Sequence, residues 1–249
     1  LSLGDVLREL PAKVFSLERG LWFTFLALWQ RPGQVCRDYV QGRRRPYVNP
    51  VSYFLIGSSA QLVSLYFSAP IIRQSITTSI QDAKSEPGQA KIFARMDNLI
   101  GGDTGAAMSD VYLAVIAQAY TYLALIAFAC PLGLALWLLH RRAPSRYHFA
   151  EVMVFALYVV AQGLLFTSLV TPLVGRISPV LQMFVAQGFN LAFAIWAHGG
   201  FFPSGWKARL GTGVAMLAAM ICFFLAIACL FGVSWVAYLL WLSRTAAAA

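Results

Sequence analysis

Five long apolar stretches, at about Val51–Ala69, Val111–Leu139, Phe149–Val174, Val180–Phe202 and Leu210–Leu242, constrain this chain more than any other feature. A helix rises about 1.5 Å per residue, so roughly 20 apolar residues cross the ~30 Å hydrocarbon core of a bilayer. Within that core every backbone polar group must be satisfied internally, which makes an α-helix the form for each stretch. A charged share of 12% excludes an ordinary soluble domain, where about 25% would be expected. The expected fold is all-α: a polytopic membrane helix bundle of about five transmembrane helices, preceded by cytoplasmic interfacial amphipathic helices. Residues 1–50 form the interfacial region and residues 51–249 the bundle, with an external loop at about 70–110.

Local signals set the boundaries. Asn49-Pro50 and Ser178-Pro179 place a capping side chain before a proline at the first helical position, where the missing N–H costs nothing. Ser109-Asp110 is expected to start the second span in the same way, and Pro131 to kink it. The last stretch would extend roughly 50 Å as one helix, too long for one span and too short for two with a turn. A bend or break near Gly232–Ser234 is expected, with a sixth span as the alternative. In the loop, Ile71, Ile72, Ile76 and Ile80 suggest an amphipathic helix, whereas Lys84–Gly88 reads as a turn.

The formal net charge of +9 lies beside apolar runs, not along a soluble face, which argues for topology and against nucleic acid. Thirteen of the 19 lysines and arginines fall on the side of the N-terminus, and this bias predicts a cytoplasmic N-terminus. Leu21–Trp29 is too short to span. Its Trp22, Phe25, Leu26 and Trp29 recur at helical spacing, as expected for a helix in the interface, with packing against the bundle as the alternative. After Pro32 a second short helix is expected through Gln41, with Val35, Tyr39 and Cys36 inward and Arg37, Asp38 and Gln41 towards water; Gly42 suits its stop.

Candidate chemistry is sparse. Arg43, Arg44 and Arg45 sit in a turn just before the first span, where each basic residue contributes about 1 kcal/mol of attraction to an anionic membrane. With Arg37, Tyr39 and Tyr47 they form the candidate lipid- or partner-binding set. Mid-span amides Gln118, Gln162, Gln187 and Asn190, with His198, are candidates for a polar crevice, against the simpler reading of interhelical hydrogen bonds. Glu151, His140, His148 and His198 are the only acid–base groups that a membrane enzyme would have near one surface. No Asp, Lys or Arg occupies the middle of a span, which disfavours an ion-coupled pump. The four cysteines form no Cys-x-x-Cys pair and the three histidines no spaced ligand set, so no metal or cofactor is expected.

The segment Arg31-Pro32-Gly33, Tyr39-Val40-Gln41-Gly42-Arg43 and Pro46-Tyr47-Val48-Asn49-Pro50 resembles the bacterial "domain of unknown function 3667" membrane family. In that family a segment of this type precedes several spans, often behind a Cys-rich zinc ribbon, which residues 1–249 do not contain. The layout is also similar to that of the Yip family, five-span proteins of membrane organisation and trafficking. Neither resemblance supplies a catalytic residue. The expected function is a non-enzymatic scaffold or assembly subunit of the bacterial inner membrane, docking on anionic headgroups or on a membrane-protein partner or second copy. The alternative is a transporter, channel or lipid-translocating protein.

Overall fold

The computed structural model describes residues 20–141, 147–202 and 205–248. Arg8, Lys13, Arg19, Arg142 and Arg146, which enter the charge bias, lie outside the described residues. The protein is an all-α membrane bundle. After helix α1 (20–30) come α2 (Pro32–Val40), α3 (Pro50–Ser85), α4 (Pro87–Ile100) and α5 (Thr104–Leu123). A π-helical turn (Ala124–Ala129) runs into α6 (Cys130–His140), followed by α7 (Phe149–Val174), α8 (Pro179–Phe201) and α9 (Trp206–Ala248). Among the described residues, five helical segments are long and apolar enough to cross a membrane: Pro50–Ser85, Thr104–His140, Phe149–Val174, Val180–Phe201 and Trp206–Arg244.

Helix α7 is the hub. Its apolar window is 61% buried inside the protein, about twice the share of any other span, and it packs against α3, α6 and α8 while α9 closes the far side against α5, α6 and α8. Close approach of α3 to α7 depends on Gly57, where a Cβ would stand 2.8 Å from the Ala161 carbonyl oxygen. Small residues let helices meet in lipid, where dispersion and polar contacts replace the hydrophobic drive between them.

Several boundaries differ from expectation, each for a local reason. The second span is capped by Asp103, whose carboxylate accepts from the Ala106 N–H at 3.0 Å, and not by Ser109, which lies buried with its hydroxyl bonded to the Ala106 carbonyl. Instead of a simple kink at Pro131, the chain widens into the π turn just before it, which accommodates the carbonyls deprived of a partner by the proline. No break occurs near Gly232: α9 runs unbroken, since a glycine lowers helix propensity by only about 1 kcal/mol and no proline reinforces it. The first span does not stop at Ala69 either. Helix α3 continues through Pro70 to Ser85, so residues 70–110 are helical, with the chain reversing at Glu86 and again at Gly101.

That helical hairpin is held by ions. Lys84 Nζ lies 2.8 Å from both Asp97 and Asp103, Asp97 also accepts from the Thr104 N–H at 2.9 Å, and Arg73 pairs with Asp110 at 2.7 Å. The Lys84 ammonium and the two Thr104 donors hold the Asp97 carboxyl down to about 2, and Lys84 likewise lowers that of Asp103.

Candidate functional site

At the end of the bundle where the N-terminal helices lie, the sequence builds a stitched surface. Helix α1 packs inward through Thr24, Ala27 and Leu28 and sets Trp29 against Phe166 and Phe189, while Trp22 and Leu26 of the aromatic stripe stay exposed. The stripe therefore does not define the buried face; small and aliphatic residues beside it do. Helix α2 presses on α8 by backbone contact. A Cβ at Gly33 would fall 2.1 Å from the Ala197 carbonyl oxygen and 2.5 Å from Gly200 Cα, so only glycine fits the Arg-Pro-Gly position. Val35 and Cys36 are fully buried, and burial pushes the Cys36 thiol well above its ordinary range, which keeps it protonated and inert. Gly42 ends the helix at a φ of +95°, in the left-handed region.

The turn beyond it is fixed from three sides. The Val48 N–H donates to Thr24 Oγ1 at 2.9 Å, and the Val48 carbonyl accepts from the Tyr158 hydroxyl of α7. Tyr47 is buried against Phe23 and donates to Asp38 Oδ2 at 3.2 Å; desolvation, then Asp38, raises its pKa and keeps it a donor. Asn49 caps α3 by accepting from the Val51 N–H at 2.9 Å, and one turn on Tyr53 donates to Gln162. Arg37, expected to face water, donates from its guanidinium to the Phe201 carbonyl at 2.9 Å and so closes the end of α8, with Tyr147 as a second donor at 3.1 Å.

The expected binding set thus divides. Arg37 and Tyr39 tie the segment to the bundle, Tyr39 through an edge contact with Tyr158 at 5.8 Å, and Tyr47 ties the turn to α1 and α2 through Phe23 and Asp38. Arg43, Arg44 and Arg45 project from it. Arg43 pairs loosely with Asp38 at 3.5 Å, and Arg44 lies over the Tyr39 ring at 5.4 Å.

A second feature of this face has no local sequence signal. Arg31 and Arg209, from opposite ends of the chain, converge on a hollow of about 330 Å³ with Gln30, Gln34 and Trp196 on its walls and Gly199 and Gly200 below. The Arg209 guanidinium lies flat over Gly199, where a Cβ would stand 2.8 Å from Cζ. Among the described residues no carboxylate is within ion-pair distance of either guanidinium. Two cations facing one hollow without a counter-charge among the described residues, flanked by amide donors, form an arrangement that an anionic oxygen cluster completes.

The mid-span polar residues are not gathered in one crevice. Gln118 is exposed on α5, Gln187 is half-buried on α8, Gln162 is engaged with Tyr53, and the Asn190 amide sits against Gly163. His198 bonds Thr212 and lies 5.1 Å, ring to ring, from His140, with Phe202 against both. None of these five lines the Arg31–Arg209 hollow or either cavity at the opposite end of the bundle. Glu151 and His148 form the capping box of α7.

Residues 18–62 match the model of a family described as "Protein of unknown function (DUF3667)". No curated protein and no solved structure matches the chain. The matched segment and the five long apolar helices are consistent with an uncharacterised family of multi-span membrane proteins. The match coincides with the stitched unit: α1, α2, the turn, and α3 as far as Gly57 and Gln61.

Proposed function

We propose that this protein is a non-enzymatic scaffold of the bacterial inner membrane whose N-terminal face, on the cytoplasmic side, grips anionic phospholipid headgroups. The observation that carries this reading is the convergence of Arg31 and Arg209 on one hollow with Gln30 and Gln34 and with no acidic neighbour among the described residues. A phosphate there would accept from two guanidiniums at once, which adds geometry to charge. Trp196, half exposed at the rim, is of the type that sits at headgroup depth. Arg43, Arg44 and Arg45 extend the same positive surface and strengthen attraction to an anionic leaflet without forming a pocket.

The test is binding of the purified full chain, in nanodiscs, to phosphatidylglycerol titrated against a zwitterionic background, read by native mass spectrometry. Changing Arg31 and Arg209 together to Gln should weaken phosphatidylglycerol retention about thirtyfold at low salt, from roughly 1 kcal/mol per charge. Changing Arg43, Arg44 and Arg45 to Gln should also weaken retention, and that loss, which comes from exposed charges, should shrink as salt is added. Retention unchanged in the double variant, with the fold intact, would discard the proposal.

A further inference from the structure

At the opposite end of the bundle, the part of α3 that overshoots the hydrocarbon core walls a crevice of about 570 Å³, within the range of small-molecule sites. Ile72, Ile76 and Ile80 line one side and Phe224, Ile227 and Phe231 of α9 the other. Ser68 lies at the floor, fully buried, its hydroxyl without a protein partner. Below it on the same helical face Ser64 and Gln61 also hold unpartnered buried oxygens, and across the seam so does the Gln162 amide nitrogen. Buried polar atoms are almost always hydrogen-bonded, to protein, water or ligand. Ser68, the one of these four that lines the crevice, marks a place there that something else completes.

Depth and charge say what. Counting helical rise from Pro50, Ser68 stands about 27 Å up and Ser79 about 44 Å, against a hydrocarbon core of ~30 Å. Phe224 and Phe231, counted from Trp206 on α9, stand at about 27 and 38 Å, so both walls start at the edge of the leaflet and rise past it. Greasy walls above the leaflet suit a hydrocarbon chain drawn up from it. Beside the crevice, and sharing Ile71, Ser75, Ser79 and Gly175 with it, lies a smaller hollow of about 300 Å³ that holds Arg176, exposed just past the end of α7. The geometry points to a phospholipid site: one acyl chain in the isoleucine–phenylalanine crevice, the phosphate at Arg176, and an ester oxygen within reach of the serine hydroxyls on α3. This goes beyond the headgroup grip proposed for the other face and does not depend on it.

A phospholipid carrying a diazirine midway along one acyl chain, in nanodiscs of phosphatidylglycerol and phosphatidylethanolamine with the full chain, tests the site by mass-spectrometric mapping of photolabel. Label is expected on residues 71–80 and around Ile227, reduced about tenfold by filling the crevice with Ile76→Trp or, should that variant not fold, with Ser79→Trp at the rim. A diacylglycerol probe with the same chains should label more weakly than the phospholipid, and Arg176→Gln should abolish that difference. Arg31→Gln with Arg209→Gln should leave crevice labelling unchanged, which separates the two sites. Label spread equally over lipid-facing residues such as Phe184 and Ile221, label that survives both filling variants, or crevice residues that photocrosslink to a second copy in place of lipid would each overturn the assignment.

Discussion

The two ends of this bundle are built from the same helices by opposite means. At the N-terminal end helices touch backbone to backbone at Gly33 and Gly200, and both polar groups of Val48 have fixed partners. At the distal end the core opens into a crevice, the Ser68 hydroxyl stays without a protein partner, and an exposed ion cluster replaces packing. One end holds a single geometry; the other leaves room. The difference is what separates a surface that presents charge from a volume that takes up a molecule.

The comparison breaks first at the glycine contact. Gly33→Ala should cost about 3 kcal/mol, the upper part of the overpacking range, because its Cβ meets backbone atoms that cannot rotate away. Thermal unfolding in detergent, with proteolysis of the α1–α2 segment, checks it; an unchanged midpoint would mean that the two ends are equally soft. Next is Tyr158→Phe, which strands the buried Val48 carbonyl and should cost about 1–3 kcal/mol while leaving the spans inserted. Cleavage at the arginine turn, before any loss of helicity, is the expected sign.

The distal clamp should respond to pH instead. The Asp97 carboxyl is held below its unfolded value, so its contribution is present above roughly pH 4 and is lost as pH falls towards about 2. Hydrogen exchange of residues 86–104 should be faster in Asp97→Asn than in wild type at neutral pH, and that gap should close by about pH 2. A gap that persists in acid would assign the protection to packing. The smallest effect expected is a gain: Gly232→Ala meets nothing within 4 Å and should stabilise α9 by up to about 1 kcal/mol, whereas a hinge there would make it destabilising.

Span number and boundaries were largely legible because hydrocarbon length imposes itself on every residue of a stretch. Helix ends were readable where cap and proline are adjacent, as at Asn49-Pro50 and Ser178-Pro179. Asp103 was missed because its helix begins seven residues before the apolar run at Val111, where no hydrophobic period announces a span. The π turn was hidden because a proline says that a carbonyl will lose its partner but not how the chain will relax. For the site, the arginine turn and its anchoring tyrosines could be read from spacing. The Arg31–Arg209 hollow could not: it exists only once α8 carries Gly199 and Gly200 between two residues far apart in sequence. Arg37 was misread as solvent-facing for the same reason, its acceptor being 164 residues away.

Val48 closes its carbonyl on Tyr158 of the third span, 110 residues later, and Arg37 waits for the last carbonyls of the fourth. During synthesis α1 and α2 are therefore made before the spans that supply their partners. Until α8 is in place, Gly33 lacks the backbone it packs against and Arg37 the carbonyl it donates to. The N-terminal face is complete only on a chain whose first four spans are in place.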